Sequence, residues 1–160
     1  MNKVGIGVDF HSLIKGDRLI VGGHRIECEF SSQAHSDGDV LTHSIIDALL
    51  GALNLGDIGE HFPPTDDKWK GVSSDVFVIY AKKLIKEQKA IIVNVNITLI
   101  CEAPKIGPYR RKMCLYVSKL LGLSETRVNI AATTTEKLGF IGRGEGISAH
   151  AIVNVSLIDD

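Results

Sequence analysis

Long apolar runs, an excess of charge and paired cysteines are all missing from this 160-residue chain. No stretch approaches the roughly 18 apolar residues that a membrane-crossing helix needs. Met1-Asn2-Lys3 leads straight into a strand pattern instead of a signal sequence. Lys and Arg total 18 against 19 Asp and Glu, for a net charge of −1. That balance leaves no electrostatic footprint for nucleic acid or an anionic membrane, so any phosphate recognition must be local. The three cysteines, Cys28, Cys101 and Cys114, are odd in number and form no Cys-x-x-Cys pair. They read as small core residues of a protein from a reducing compartment. A cytoplasmic location is expected, or the plastid stroma for a processed plant or algal form. No repeat, low-complexity tract or charge block divides the chain, so one domain over residues 1–160 is expected.

What is present is an alternation of strand and helix patterns. Val4 to His11 and Arg18 to Glu27 read as strands, the second turning at Gly22-Gly23. A helix follows Asp37-Gly38-Asp39, with Asp37 taken as its cap, and ends between Gly51 and Gly56. Asp57 to Gly71 is polar, carries two prolines and reads as a loop of a length that tends to be functional. Ser73 or Ser74 caps the next helix, with Val76, Phe77, Ile79, Tyr80, Leu84 and Ile85 expected on its buried side. Ile91 to Cys101 alternates as a strand, Gly107 to Leu121 reads as a helix, and strands follow at Val128 to Ala132 and Ile147 to Ile158. The expected fold is α/β, an α+β sandwich in which helices cover one face of a mixed sheet. The last strand is apolar on both parities, which implies that its outer face is covered too, by a neighbouring subunit.

Asp9 and His11 are two apart on a strand and so share a face, with Phe10 pointing the other way toward a core. His43 lies on the first turns of a helix whose buried stripe includes Leu41, Ile45, Ile46, Leu49 and Leu50, with Asp47 one turn on. A carboxylate and two imidazoles suit zinc, and three protein ligands leave the fourth position open, as catalytic sites do. The pair on the strand alone would be an unremarkable edge, and a lone helical histidine is more often half-buried and satisfied. Further segments crowd the ends of expected elements with groups suited to phosphate. His35 and Ser36 precede the helix that carries His43. Thr133-Thr134-Thr135-Glu136 follows a strand and offers hydroxyls plus a carboxylate for a hard cation. Gly139, Gly142, Gly144 and Gly146 free the backbone beside it, and Lys105 is framed by Pro104 and Pro108.

Ala34-His35-Ser36-Asp37-Gly38-Asp39-Val40, Asp47-Ala48-Leu49-Leu50-Gly51-Ala52, Gly56-Asp57-Ile58-Gly59 and the run from Thr133 to Gly146 occur here in one order. Over nearly the whole chain that order resembles the 2-C-methyl-D-erythritol 2,4-cyclodiphosphate synthases of the non-mevalonate isoprenoid pathway. One departure is Val8-Asp9-Phe10-His11, since the family usually places the aromatic before the aspartate; both ligands are kept. The resemblance implies a lyase that closes a cyclic diphosphate and expels cytidine monophosphate, acting as a homotrimer with active sites between subunits. It implies Zn2+ on Asp9, His11 and His43, and a second ion, Mg2+ or Mn2+, near Glu136. His35 and Thr134 would stabilise the transition state, with Ser36 on the erythritol phosphate.

By the same resemblance, Asp57, Ile58 and Gly59 would meet the ribose of a cytidine diphosphate-linked substrate, and Phe62, Pro63, Pro64, Thr65 and Asp66 would form a flexible cover. Cys101, Glu102, Ala103, Pro104, Lys105, Ile106 and Gly107, with Thr133 and Thr135, would hold the cytosine and its phosphates from the adjacent subunit. Phe140 and Arg143, with Glu145, would lie near the threefold axis, where an isoprenoid diphosphate can bind. Arg143 and Glu145 could equally be an ion pair between subunits. No nucleotidyltransferase domain is expected. Two rivals share parts of this pattern: a zinc phosphohydrolase that uses water as nucleophile, and a non-catalytic sensor of isoprenoid diphosphates.

Overall fold

The amino-terminal strand outruns its apolar alternation because both of its edges find partners. In the computed structural model, which describes residues 1–158, β1 spans Asn2–Lys15. Most of it pairs antiparallel with β7 (Gly146–Leu157), and its last residues pair with β4 (Phe30–Gln33). Beyond β7 lies β5 (Ala90–Ile100), antiparallel, and then β6 (Val128–Thr133), parallel to β5. The result is a mixed five-stranded sheet in the order β4-β1-β7-β5-β6. The parallel pair needs a crossover, which α4 (Arg110–Leu121) supplies. Gly22 and Gly23, both at positive φ, turn the expected hairpin between β2 (Arg18–Val21) and β3 (His24–Glu27), which forms a small sheet of its own.

Helices cover one face of the large sheet, as expected. α1 (Val40–Ala52) packs on β1 and β7, α3 (Ser74–Glu87) on α1 and β5, and α4 on β6. Single turns, α2 (Ile58–His61) within the long loop and α5 (Gly139–Gly142) before β7, complete the fold. Because α1 is sandwiched between sheet and α3, every residue in it except Asp47 and Gly51 is buried. Its sequence therefore carries no clean polar face.

Three expectations change. β4 was not anticipated, since Phe-Ser-Ser-Gln has almost no apolar alternation and forms only as an edge partner of β1. The buried stripe of α3 is Phe77, Val78, Ala81 and Ile85, while Val76, Ile79 and Tyr80 face outward. Small Ala81 is fully buried at the centre of that stripe, where the larger residues would not be expected to lie. Phe10, expected in a core, is 53 % exposed. It shares the helix-free face of the sheet with Val4, Ile6 and Val8 of β1, Ile152 of β7 and Ile91 of β5, all exposed in the single chain. A contiguous apolar face of this kind marks an interaction surface.

The opposite face of β1 presses on α1 with almost no clearance. A methyl group built on Gly7 would collide with the Ser44 carbonyl oxygen and lie 2.6 Å from the Ala48 nitrogen, and one on Gly5 would collide with the Ala48 carbonyl oxygen. These obstacles are backbone atoms, which cannot rotate aside. Gly7→Ala is therefore expected to cost about 3 kcal/mol of folding stability through overpacking, measured by urea denaturation; an unchanged midpoint would show that α1 has room to move.

Candidate active site

Asp9 and His11 leave β1 on the side that faces α1, and His43 reaches them from the first turn of that helix. One donor atom from each lies within 4.8 Å of the others. Asp9 Oδ2 is 2.9 Å from His11 Nε2 and 3.2 Å from His43 Nδ1, and the two ring nitrogens are 3.3 Å apart. His43 is buried and the other two are partly so.

The outer nitrogens settle which atoms face inward. His11 Nδ1 lies 2.9 Å from the Gly38 carbonyl oxygen, which can only accept, so Nδ1 carries a hydrogen. In the neutral ring this leaves Nε2 with its lone pair toward Asp9. His43 Nε2 lies 2.9 Å from Ser74 Oγ and 3.1 Å from Ser36 Oγ, so Nδ1 is the inward atom of that ring. With both rings neutral, an oxygen and two nitrogens converge as acceptors, an arrangement that a proton or a metal cation among them would satisfy. Burial works against ionisation of Asp9, but hydrogen bonds to His11 and His43 prevail and hold its carboxyl well below the usual range. Burial likewise opposes the charged form of His11, yet the Asp9 hydrogen bond and charge outweigh it and raise its pKa. The donor set and its backing hydrogen bonds fit a divalent ion with an open coordination position.

This trio opens into a cavity of about 240 Å³ lined by His11, Ala34, His35, Ser36, His43 and Ile58, together with Gly59, Phe62, Pro64, Trp69 and Phe77. A second cleft, about 360 Å³, is lined by Cys101, Glu102, Pro104, Lys105, Ile106, Gly107, Pro108 and Arg110, with Ala132, Thr133 and Thr134. The two share no residue. The residues expected around one substrate therefore fall into two separate sets on a single chain.

The sequence pattern of the YgbB family matches residues 2–156. The chain belongs to the YgbB family. It is 50 % identical over 153 residues to the 2-C-methyl-D-erythritol 2,4-cyclodiphosphate synthase of Alkaliphilus metalliredigens, covering 96 % of each chain. It is equally 50 % identical over 153 residues to the bifunctional enzyme IspD/IspF of Erythrobacter litoralis, covering 96 % of this chain and 40 % of that one. The chain thus spans about two fifths of the length of such bifunctional relatives. The solved structure of Plasmodium falciparum IspF in a CDP complex superposes with a TM-score of 0.87 at 34 % identity, covering 99 % of this chain and 97 % of that one.

Within this YgbB fold several expected residues have structural tasks. Asp57 caps α2 by accepting the Glu60 amide. Phe62 is buried against Phe77, Trp69 and Tyr80, whereas Pro63, Pro64 and Thr65 form the exposed tip of the loop. His35 Nε2 reaches the Asp66 carbonyl at 3.4 Å. Arg143 makes a two-pronged pair with Glu145 of its own chain, at 2.9 and 2.8 Å, and Phe140 packs near Phe10. Burial pushes the Cys101 thiol up to about 11, so it lines the second cleft as a neutral side chain. Glu136 is exposed and outside the Asp9 cluster; its Oε1 accepts from the Thr134 hydroxyl at 3.2 Å.

Asp37 does not cap α1. Asp39 does, accepting the Thr42 amide at 3.0 Å, while also taking the Gly22 and Gly23 amides of the hairpin. Asp37 instead accepts the Ser74 amide across space. Sequence reasoning missed Ser74 as a neighbour of His43, although it had identified the Ser73-Ser74 pair as a helix start.

Glu102 organises the threonine loop. Its Oε1 accepts from the Thr135 amide at 2.9 Å and the Lys137 amide at 3.2 Å, where Glu136 and Lys137 adopt left-handed φ of 53° and 65°; the Thr135 hydroxyl lies 3.1 Å from that oxygen and 2.7 Å from the Leu138 carbonyl oxygen. Slight burial would raise its pKa, but these hydrogen bonds outweigh it and hold the carboxyl below the usual glutamate range. A depressed carboxylate contributes stability above its unfolded pKa and loses it as pH falls through the folded value. Glu102→Ala is thus expected to melt below the wild type at neutral pH, with the gap closing as the pH is lowered through about 4. A gap independent of pH would show that the carboxylate charge does not hold this loop.

Proposed function

We propose that the protein converts 4-diphosphocytidyl-2-C-methyl-D-erythritol 2-phosphate into 2-C-methyl-D-erythritol 2,4-cyclodiphosphate and CMP, as a phosphorus–oxygen lyase of the non-mevalonate pathway. The observation that carries this reading is the split site: a built cation centre beside His35 and Ser36, and a separate cleft between the 101–107 segment and Thr133-Thr134. The synthase of matching length and the CDP-bound relative support it.

In this reaction an oxygen of the substrate's own 2-phosphate forms a bond to the β-phosphorus. The bond from that phosphorus to the bridging oxygen breaks, and the electron pair leaves on CMP. Phosphoryl transfer of this kind needs little covalent help, so the protein contributes alignment and charge. Asp9, His11 and His43 would hold Zn2+, which would supply positive charge to the β-phosphate oxygens. Glu136, beside the Thr134 hydroxyl, would hold a second ion, Mg2+ or Mn2+. His35 and Ser36 orient the attacking phosphate, and Thr134 donates to oxygens that gain charge in the transition state. Asp57, Ile58 and Gly59 take the ribose. Cys101 to Gly107, with Thr133 and Thr135, takes the base and its phosphates.

Three copies related by a threefold axis would cover the apolar sheet face and set the cation centre of one subunit against the nucleotide cleft of the next. Phe140 and Arg143 then approach the axis, where an isoprenoid diphosphate fits. The working location is the cytoplasm, or the plastid stroma for a processed form.

Turnover in oxygen-18 water should give product free of label, whereas label in the product would assign the site to hydrolysis. His43→Ala should lower turnover roughly a thousandfold, equivalent to several kcal/mol of lost charge stabilisation. Thr134→Ala should lose about a hundredfold. Dissociated and reassembled as an equal mixture, these two inactive chains should recover about a quarter of wild-type activity, because random trimers keep one intact half of each kind at that fraction of junctions. No recovery from mixed trimers would mean that each subunit holds its own complete site.

A further inference from the structure

The ring of His43 is held from behind as firmly as it is presented in front. Ser74, the first residue of α3, is 1 % exposed and places its Oγ 2.9 Å from His43 Nε2. The Ser74 hydroxyl is itself committed, donating to Asp37 Oδ1 at 2.5 Å, while Asp37 Oδ2 accepts the Ser74 amide at 2.8 Å. The direction of this chain follows from what each group can do. The carboxylate accepts from the hydroxyl, so the serine oxygen must accept from the imidazole N–H. Ser36 also faces Nε2, but at 3.1 Å, and it lines the cavity, where its hydroxyl is open to a ligand. Ser74 is the buried contact of the two, and the one backed by a carboxylate.

We propose that Ser74, polarised by Asp37, is a positioning residue that fixes the tautomer and orientation of His43 and thereby sets the affinity of the site for a divalent cation. A donated Nε2–H leaves the Nδ1 lone pair directed at Asp9 and His11, and a negative partner behind the ring strengthens that lone pair as a ligand. The relay also ties the cation centre to the end of the long loop. The Gly71 amide donates to the His35 carbonyl at 2.8 Å and the Asp37 amide to the Val72 carbonyl at 3.2 Å. The strand-like zipper of residues 35–37 against 71–74 therefore ends on the atom that steers His43.

The inference rests on Asp9, His11 and His43 being a divalent-cation site, and the test separates the two. Metal-free wild type, Ser74→Ala, Asp37→Asn, Ser73→Ala and Asp9→Ala would be titrated with Zn2+ against a chromophoric chelator. Each would also be melted without metal, and loaded with Co2+ to read its visible absorption. Ser74→Ala should bind Zn2+ about 10- to 100-fold more weakly than wild type, with an altered Co2+ spectrum. Asp37→Asn should lose affinity in the same direction by a smaller factor. Ser73 accepts the Asp75 amide at 3.4 Å without touching His43. Ser73→Ala should therefore lower only the melting temperature, which exposes a purely helix-capping effect. Wild-type Zn2+ affinity and Co2+ spectrum in Ser74→Ala would overturn the proposal, and should that variant fail to fold, wild-type affinity in Asp37→Asn would do so. Wild-type affinity in Asp9→Ala would instead overturn the cation site itself.

Discussion

The separation of β1 from α1 governs everything at the Asp9–His11–His43 cluster. Two of these side chains belong to the strand and one to the helix, and their donor atoms meet only because the two backbones lie in contact at Gly5 and Gly7. Any side chain at either glycine would lift the helix and carry His43 out of reach. The interior of the fold then defends that spacing from the other side. α1 is buried nearly all round, pressed by α3 through Phe77, Val78 and Ala81. A ligand geometry with tolerances of a few tenths of an ångström thus rests on packing that extends well away from the polar atoms.

Much of this was legible in the sequence, because the signals that carry it are local. Asp9 and His11 share a strand face by simple alternation, and His43 stands beside an apolar helical pattern; both placements hold. The glycine pair gives the hairpin, and helices do cover one sheet face. What sequence could not supply depends on partners distant along the chain. β4 exists only because β1 offers an edge. Phe10 belongs to a core by composition, yet it lies on the face of the sheet that no helix among the described residues covers. Asp37 and Asp39 are equivalent as caps on paper. Only the approach of the β2–β3 hairpin to Asp39, and of the start of α3 to Asp37, assigns them different tasks.

The two clefts differ in how they are stiffened. Around the Asp9–His11–His43 cluster the walls are helix, strand and an aromatic cluster in which the Phe62 and Phe77 ring centroids lie 4.4 Å apart. The second cleft is built from two loops, and its geometry is set by polar contacts instead. Glu102 binds the left-handed turn at Glu136 and Lys137 through a single carboxylate oxygen, so the 101–107 segment and the threonine loop behave as one unit. Coupling the loops in this way keeps Thr133 and Thr134 facing the 101–107 segment although neither threonine is buried.

The convergence of acceptors at Asp9, His11 and His43 has a cost that the rest of the chain must carry. With the outer nitrogens of both rings engaged by Gly38 and Ser74, the inward lone pairs repel one another and the Asp9 carboxylate unless a positive charge sits between them. A proton on His11 serves that purpose in part, in keeping with its raised pKa. A divalent ion would compete with that proton for the same inward atoms, so its binding would draw on the contacts that hold the fold. The hydrogen bonds behind the rings therefore act in two ways at once: they stabilise the fold, and they fix which ring nitrogens face inward. The β1–α1 contact leaves the three side chains little room to turn away from one another.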